Sequence, residues 1–315
     1  MRQSAFFAAA LTVFAGSVPA ADQKLMTLLM PDAKVVAGIN VEQAKTSQFG
    51  QFILNHMGSD QDLQSFINLS GFDPRVDLQE ILVATNIGGG ANSGLILARG
   101  RFSSARIAAM AAKTGGQQIT TYKGVQILGG PGAKRKEAIA VLDNSLVIAG
   151  DLAGVQAAID RVATGSSIDA GLAARINELS TSQDAWTVSI APVSALSKMP
   201  IPDPTIQGAL QGDLLKTVQQ TSGGIKFGPE VKITGEATAS TDKDATALGD
   251  VVKFLAGMIQ LNAQGEAVTT LVQKLNVSTE GSKLKLNLSI AEDQLEAFLK
   301  TANRNAPQKH KPAVI

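Results

Sequence analysis

The sequence predicts an α+β fold, antiparallel sheets with helices packed on one face, built from repeated β-hairpin–helix units. Two observations predict it. Four times along the chain, two extended apolar runs joined by a short turn lead directly into a stretch with helical spacing. The composition, 44% hydrophobic and 17% charged, is that of a chain that folds around a core.

The elements follow in order. Met1-Arg2-Gln3 is a short positive start, Ser4 to Gly16 is apolar, and Val18-Pro19-Ala20 ends in small residues. This is the pattern of a secretory signal peptide cleaved after Ala20. The apolar run falls short of the ~20 residues that span a bilayer. Val35 to Val41 then reads as a strand and Glu42 to His56 as a helix.

The first unit pairs Glu80–Thr85 with Leu95–Phe102 and continues into a helix from Ser103, with Ser103 or Ser104 as N-cap and Ile107 and Met110 on the apolar stripe. Gln118 to Leu128 forms a hairpin turning at Lys123-Gly124. The second unit joins Glu137–Leu142 to Ser145–Ala149 through Asp143-Asn144. Asp151 then caps a helix whose Val155, Ile159 and Val162 share a face. Trp186 to Ile190 is a further strand.

The third unit is Gly223–Phe227, Gly228-Pro229 and Val231–Ala239. Its helix runs Asp242–Gln260, with Leu248, Val251, Val252, Leu255 and Ile259 inward. The fourth turns at Glu280-Gly281 between Leu275–Thr279 and Leu284–Ile290, and its helix begins at Glu292. Glu280-Gly281 and Asp143-Asn144 are residues that reach positive φ in hairpin turns.

Four of the eleven prolines fall between Pro192 and Pro204, which places a boundary there. The expected organisation is signal peptide 1–20, an N-terminal α+β domain 21–191, a Pro-rich connector 192–212, a C-terminal α+β domain 213–301 and a tail 302–315.

Charge and composition exclude several classes. Removing residues 1–20 takes away Arg2 and leaves 27 basic against 27 acidic residues. A neutral chain has no field to steer it onto nucleic acid. With no cysteine it forms no disulfide and offers no thiolate to a metal. One Trp and one Tyr cannot build a base-stacking platform.

Three short features carry a resemblance: Pro31-Asp32-Ala33 before a strand, Tyr122-Lys123-Gly124 at a hairpin, and Asp143…Val147…Gly150…Val155…Ile159-Asp160-Arg161 ending near Gly165. Over about Pro31–Ser189 the chain resembles uncharacterised exported bacterial proteins of the domain-of-unknown-function type. The resemblance implies export and an α+β fold, and it brings no catalytic residue.

Reactive constellations are absent from the pattern. A serine nucleophile needs a base, and the two histidines are His56, near a helix end, and His310, in the tail. Gly88-Gly89-Gly90 and Gly129-Gly130-Pro131-Gly132, followed by Lys134-Arg135-Lys136, join strand to strand. A phosphate loop instead leads from strand into helix. Arg99 and Arg101 alternate at a strand end, where both point to one solvated face. Asp77, Glu80, Asp143, Asp151 and Asp293 fall at turns, caps and strand starts, where an ionised acid is useful without chemistry.

No catalytic, cofactor or metal residue is therefore assigned. The expectation is a non-enzymatic exported binding or structural-interaction protein of the periplasm or cell envelope, its partner an envelope protein or an apolar ligand. The alternatives are a carrier of an apolar small molecule or lipid and, more remotely, a hydrolase with an unrecognised site. No nucleic-acid partner and no transmembrane segment in the mature chain are expected.

Overall fold

The computed structural model describes residues 20–57, 61–86, 94–113, 119–129, 137–192, 213–262 and 266–297. It is α+β: helices and, among the described residues, one large antiparallel sheet of twelve strands. In chain order these are α1 (Gln23–Leu28), β1 (Val35–Asn40), α2 (Val41–Ala44), α3 (Gln48–Met57), α4 (Gln61–Ser70), α5 (Pro74–Asp77), β2 (Leu78–Thr85), β3 (Gly94–Gly100) and α6 (Ser104–Lys113). Next come β4 (Ile119–Tyr122), β5 (Val125–Leu128), β6 (Glu137–Asp143), β7 (Leu146–Asp151), α7 (Leu152–Thr164), α8 (Ala170–Ser182) and β8 (Ala185–Ser189). After a 3-10 turn at Asp213–Thr217 follow β9 (Val218–Lys226), β10 (Glu230–Ala239), α9 (Asp242–Asn262), α10 (Glu266–Lys274), β11 (Asn276–Glu280) and β12 (Lys283–Ala291).

The strands lie in the order β11-β12-β10-β9-β8-β1-β2-β3-β7-β6-β5-β4. A ladder between β8 and β9, in which Val188 faces Ser222, carries the sheet from one half of the chain into the other. The segment 193–212, which holds most of the expected connector, lies outside the described residues.

Directly paired residues of an antiparallel ladder point to the same face. Val36, Ala84, Leu95, Leu97, Ile148, Ala140 and Val188 therefore share one face. On it Leu25 and Leu28 of α1, Val155 and Ile159 of α7, and Leu172 and Ile176 of α8 complete the larger apolar cluster.

Followed through Ser222, Glu236 and Lys285, the same face becomes polar. The apolar set of the second half (Ala237, Ala239, Leu284, Leu286) sits on the opposite face, packed by Ala245 and Leu248 of α9. Instead of covering one face throughout, the helices change sides between β8 and β10. The cause is parity: apolar residues occupy the odd positions of β10 rather than the even ones, which turns the whole set over.

Helix starts follow their caps. Asp22, Asp151 and Asp169 each accept from a first-turn amide, at 2.8, 2.7 and 2.9 Å. Ser103 does the same for Arg106 at 3.3 Å. The Lys123-Gly124 turn holds both residues at positive φ, 49° and 82°, as a two-residue hairpin requires. Asn144 differs from expectation. Lys123 is the one positive-φ non-glycine among the described residues, and the β6–β7 connection adjusts through a register shift between Val141 and Asp143.

Two inward assignments are corrected. Val162, 59% exposed, and Ile259, 45% exposed, are open to solvent, Val162 at the edge of the open cleft described below. Among the described residues no helix is long and apolar enough to cross a membrane.

Candidate functional site

An open cleft of about 540 Å³ lies where α1 and α7 meet the β4–β7 end of the sheet. Its floor is apolar: Leu28 from α1, Val125 and Leu142 from the hairpins, Leu146 from β7, and Ile159 with Ala163 from α7. The local sequence explains why these meet. Leu25, Leu28 and Leu29 recur at helical spacing behind the Asp22 cap, so α1 lays one side on the sheet. Arg161 of α7 then donates through Nε and Nη2 to the Leu28 carbonyl, at 3.1 and 3.0 Å, and satisfies the end of α1.

The rim is charged. Lys123 pairs with Asp160 at 2.7 Å, and the Tyr122 hydroxyl donates to both Asp160 oxygens at 3.1 Å. Each partner shifts the other. The Lys123 hydrogen bond holds Asp160 below the usual carboxylate range, and Asp160 raises Lys123. Asp143 accepts from the Ser145 amide and hydroxyl, both at 2.6 Å. Burial pushes its carboxyl up, but the Ser145 bonds and the Leu146 amide outweigh that and leave it lowered. Lys24 stands exposed on the α1 side of the rim. An apolar floor with fixed polar groups at its edge accepts a hydrocarbon body and orients a polar end.

A second hollow, about 330 Å³, lies beside α8 on the polar face of β9 and β10. Arg175 dominates it. Its guanidinium donates to Ser222 Oγ at 3.0 and 2.9 Å, pairs with Glu178 at 2.7 Å, and lies 3.2 Å from Glu236. Glu236 also takes Lys283 at 3.1 Å. These groups satisfy one another and hold α8 across the junction of the two halves.

The acids weighed from sequence are dispersed. Asp151 is a helix cap. Asp77 accepts from the Asp73 amide at 2.9 Å and pairs with Arg101 at 3.1 Å, and Asp293 is exposed. Arg99 and Arg101 part company. Arg101 turns to Asp77, whereas Arg99 reaches Asp22 at 3.2 Å and Glu80 at 3.5 Å. Glu80 is the surprise: it is buried on the covered face, and burial raises its carboxyl pKa. No period-2 pattern flags it, because β2 reads as uniformly apolar from Ile81 onward.

His56 lies in the last turn of α3. Gly88, Gly89, Gly90, Lys134, Arg135, Lys136 and His310 lie outside the described residues. Among the described residues no three His, Cys, Asp or Glu side chains group as metal ligands. The partly buried Arg175 and the buried Asp184 carry no mark in the sequence, and nothing local in it shows that Glu80 is buried. The caps Asp22 and Asp169 ahead of i, i+3/i+4 leucine and isoleucine spacing were the available signals for α1 and α8, which the sequence reading lacks.

No family model and no curated protein matches the sequence. Among solved structures, crystal form III of TP0453 superposes with a TM-score of 0.52 at 9% identity, covering 88% of this chain and 97% of that one. Crystal form IV gives 0.52 at 8% identity, over 87% and 95%. The chain is similar to this protein in fold.

Proposed function

We propose that this chain is exported, with residues 1–20 removed as a signal peptide, and acts in the periplasm or cell envelope by binding rather than by catalysis. The observation that carries the reading is the α1–α7 cleft. It combines an apolar floor, a fixed charged rim and a volume suited to a small amphiphile. The ligand class that fits is an apolar small molecule or lipid with a polar end, which makes the chain a carrier. The architecture is that of repeated hairpin–helix units, with the cleft where the second unit closes over α1. The acids that would serve a hydrolase are instead tied to caps, turns and ion pairs, which supports the non-enzymatic side of the proposal.

Native mass spectrometry of protein purified from its own host tests this. Retained apolar ligand is expected, together with its loss in Ile159→Lys, which places an ammonium on the cleft floor. Protein that carries no adduct and takes up no added amphiphile would sink the carrier reading.

A structural-interaction role is the second reading, favoured by the face of β2, β3 and β7 opposite to the one that α1 and α7 cover. There Ile81, Val83, Ile96, Ala98, Val147 and Ala149 form a charge-free patch, with Val83 39% and Ile96 47% exposed. Because the patch lacks charge, its fitting occupant is an equally apolar face, that of a second copy packed sheet to sheet. Sedimentation should show a concentration-dependent dimer that Ile96→Lys abolishes. A monomer at every concentration would end this reading.

A further inference from the structure

We propose that Glu80, with Asp22 and Arg99, forms a docking site for a primary ammonium group, namely the α-ammonium of Ala21 created when the leader is removed. The inference rests on the reading that cleavage follows Ala20. Glu80 is 6% exposed, and its two carboxylate oxygens face the Asp22 N–H at 3.1 and 3.3 Å. Arg99 Nε lies 3.2 Å from Asp22 Oδ2 and 3.5 Å from Glu80 Oε2, and its Nη1 donates to Gln79 at 2.7 Å. Two carboxylates against one guanidinium leave one negative charge in excess at the point where α1 joins the sheet.

Ala21 precedes Asp22 by one peptide unit, so covalent geometry alone keeps its nitrogen within about 7 Å of the Glu80 carboxylate. Ala21 is buried in the main apolar cluster, whereas Ala20 is exposed. In the precursor the Ala21 nitrogen is an uncharged amide. Hydrolysis of the Ala20–Ala21 bond consumes one water, leaves a carboxylate on Ala20 and places a protonated amine on Ala21. That charge neutralises the cluster. Burial raises the Glu80 carboxyl, and although the Asp22 amide and Arg99 oppose this, the Asp22 charge adds to it; this is the setting of a carboxylate short of a cation. Processing thereby latches α1, with its buried Leu25, Leu28 and Leu29, onto the sheet.

The test uses two chains released in vitro from a cleavable fusion. One begins at Ala21 and the other carries Ser-Gly-Gly ahead of it, each with Glu80 and with Glu80→Gln. The extension should raise the unfolding constant roughly tenfold when Glu80 is present and leave it unchanged in Glu80→Gln. Equal effects in both backgrounds would overturn the latch. Should Glu80→Gln fail to fold, amine-selective acylation of the Ala21 chain reads the same contact. An α-amino pKa above the ordinary ~7.7–8.0 supports it, and one at or below that range overturns it. N-terminal sequencing of exported protein separates the two claims. A start elsewhere than Ala21 refutes the cleavage reading alone, and a start at Ala21 without coupling refutes the latch alone.

Discussion

Asp184→Ala should destabilise the fold by about 3–5 kcal/mol, the largest loss expected from any single polar side chain. Asp184 is 1% exposed at the entry to β8. One carboxylate oxygen takes the Lys226 ammonium at 2.6 Å and the other takes the Phe227 N–H at 2.7 Å. It ties β8, the last strand of the first half, to the end of β9 in the second. Removing it leaves a half-buried ammonium without its counter-charge and a backbone donor without an acceptor. Asp184→Asn keeps an acceptor for Phe227 and should lose less. Chemical denaturation of both variants checks the ranking. If alanine costs no more than asparagine, the ion pair does not hold the halves together.

Gly38→Ala should cost about 1–3 kcal/mol or more, although in most strand interiors alanine is the more stable residue of the two. A Cβ at Gly38 would lie 2.4 Å from Trp186 Cζ2, 2.6 Å from Cε2 and 2.8 Å from Leu82 Cδ2. Trp186 is paired across the sheet with Gly38 on one side and Gly224 on the other; the indole lies over Gly38, while Gln183 fills the space above Gly224. The indole and Leu82 are buried and have no free space to move into. Trp186→Leu in the Gly38→Ala background should recover part of the loss, giving a coupling that a thermal-denaturation double-mutant cycle measures. Additive effects of the two substitutions would show that the ring does not fill the space above Gly38.

Local chemistry made much of this fold legible in the sequence. The Lys123-Gly124 turn, the Ser103 and Asp151 caps and the run from β10 into α9 each depend on residues within a few positions of one another. Side changes and long-range neighbours were not legible. Whether Val83 or Leu82 is buried depends on the face that α1 and α7 cover, and those helices lie more than about 50 residues away in sequence. Glu80 reads as an ionised acid at a strand start, and its burial is not legible because its partners, Asp22 and Arg99, are distant in the chain. The cleft was legible only in part: of its floor, Ile159 alone lies on a stripe the spacing marks as inward, whereas Leu142 and Leu146 carry no such mark and α1, which supplies Leu28, has no long-range signal at all.

The position of β1 has a consequence for how the chain reaches this state. β1 sits between β2 and β8, and its Ala37 pairs with Thr187. That pairing closes a loop of roughly 150 residues, against the two-residue turn between Tyr122 and Val125, and loop closure costs entropy before any contact repays it. The β10–β12 ladder joins strands separated by a single helix pair and a short edge strand, so it closes over a much shorter span. The second half can consolidate early, as a preformed edge. The first half stays open at its centre until β8 is available to close on β1. On the export proposed above, in which the chain emerges amino end first, the expected order of assembly runs against the order of emergence. The middle of the sheet is the last region to acquire protection, and the interval before it does is when the apolar strands β1 to β3 most need a chaperone.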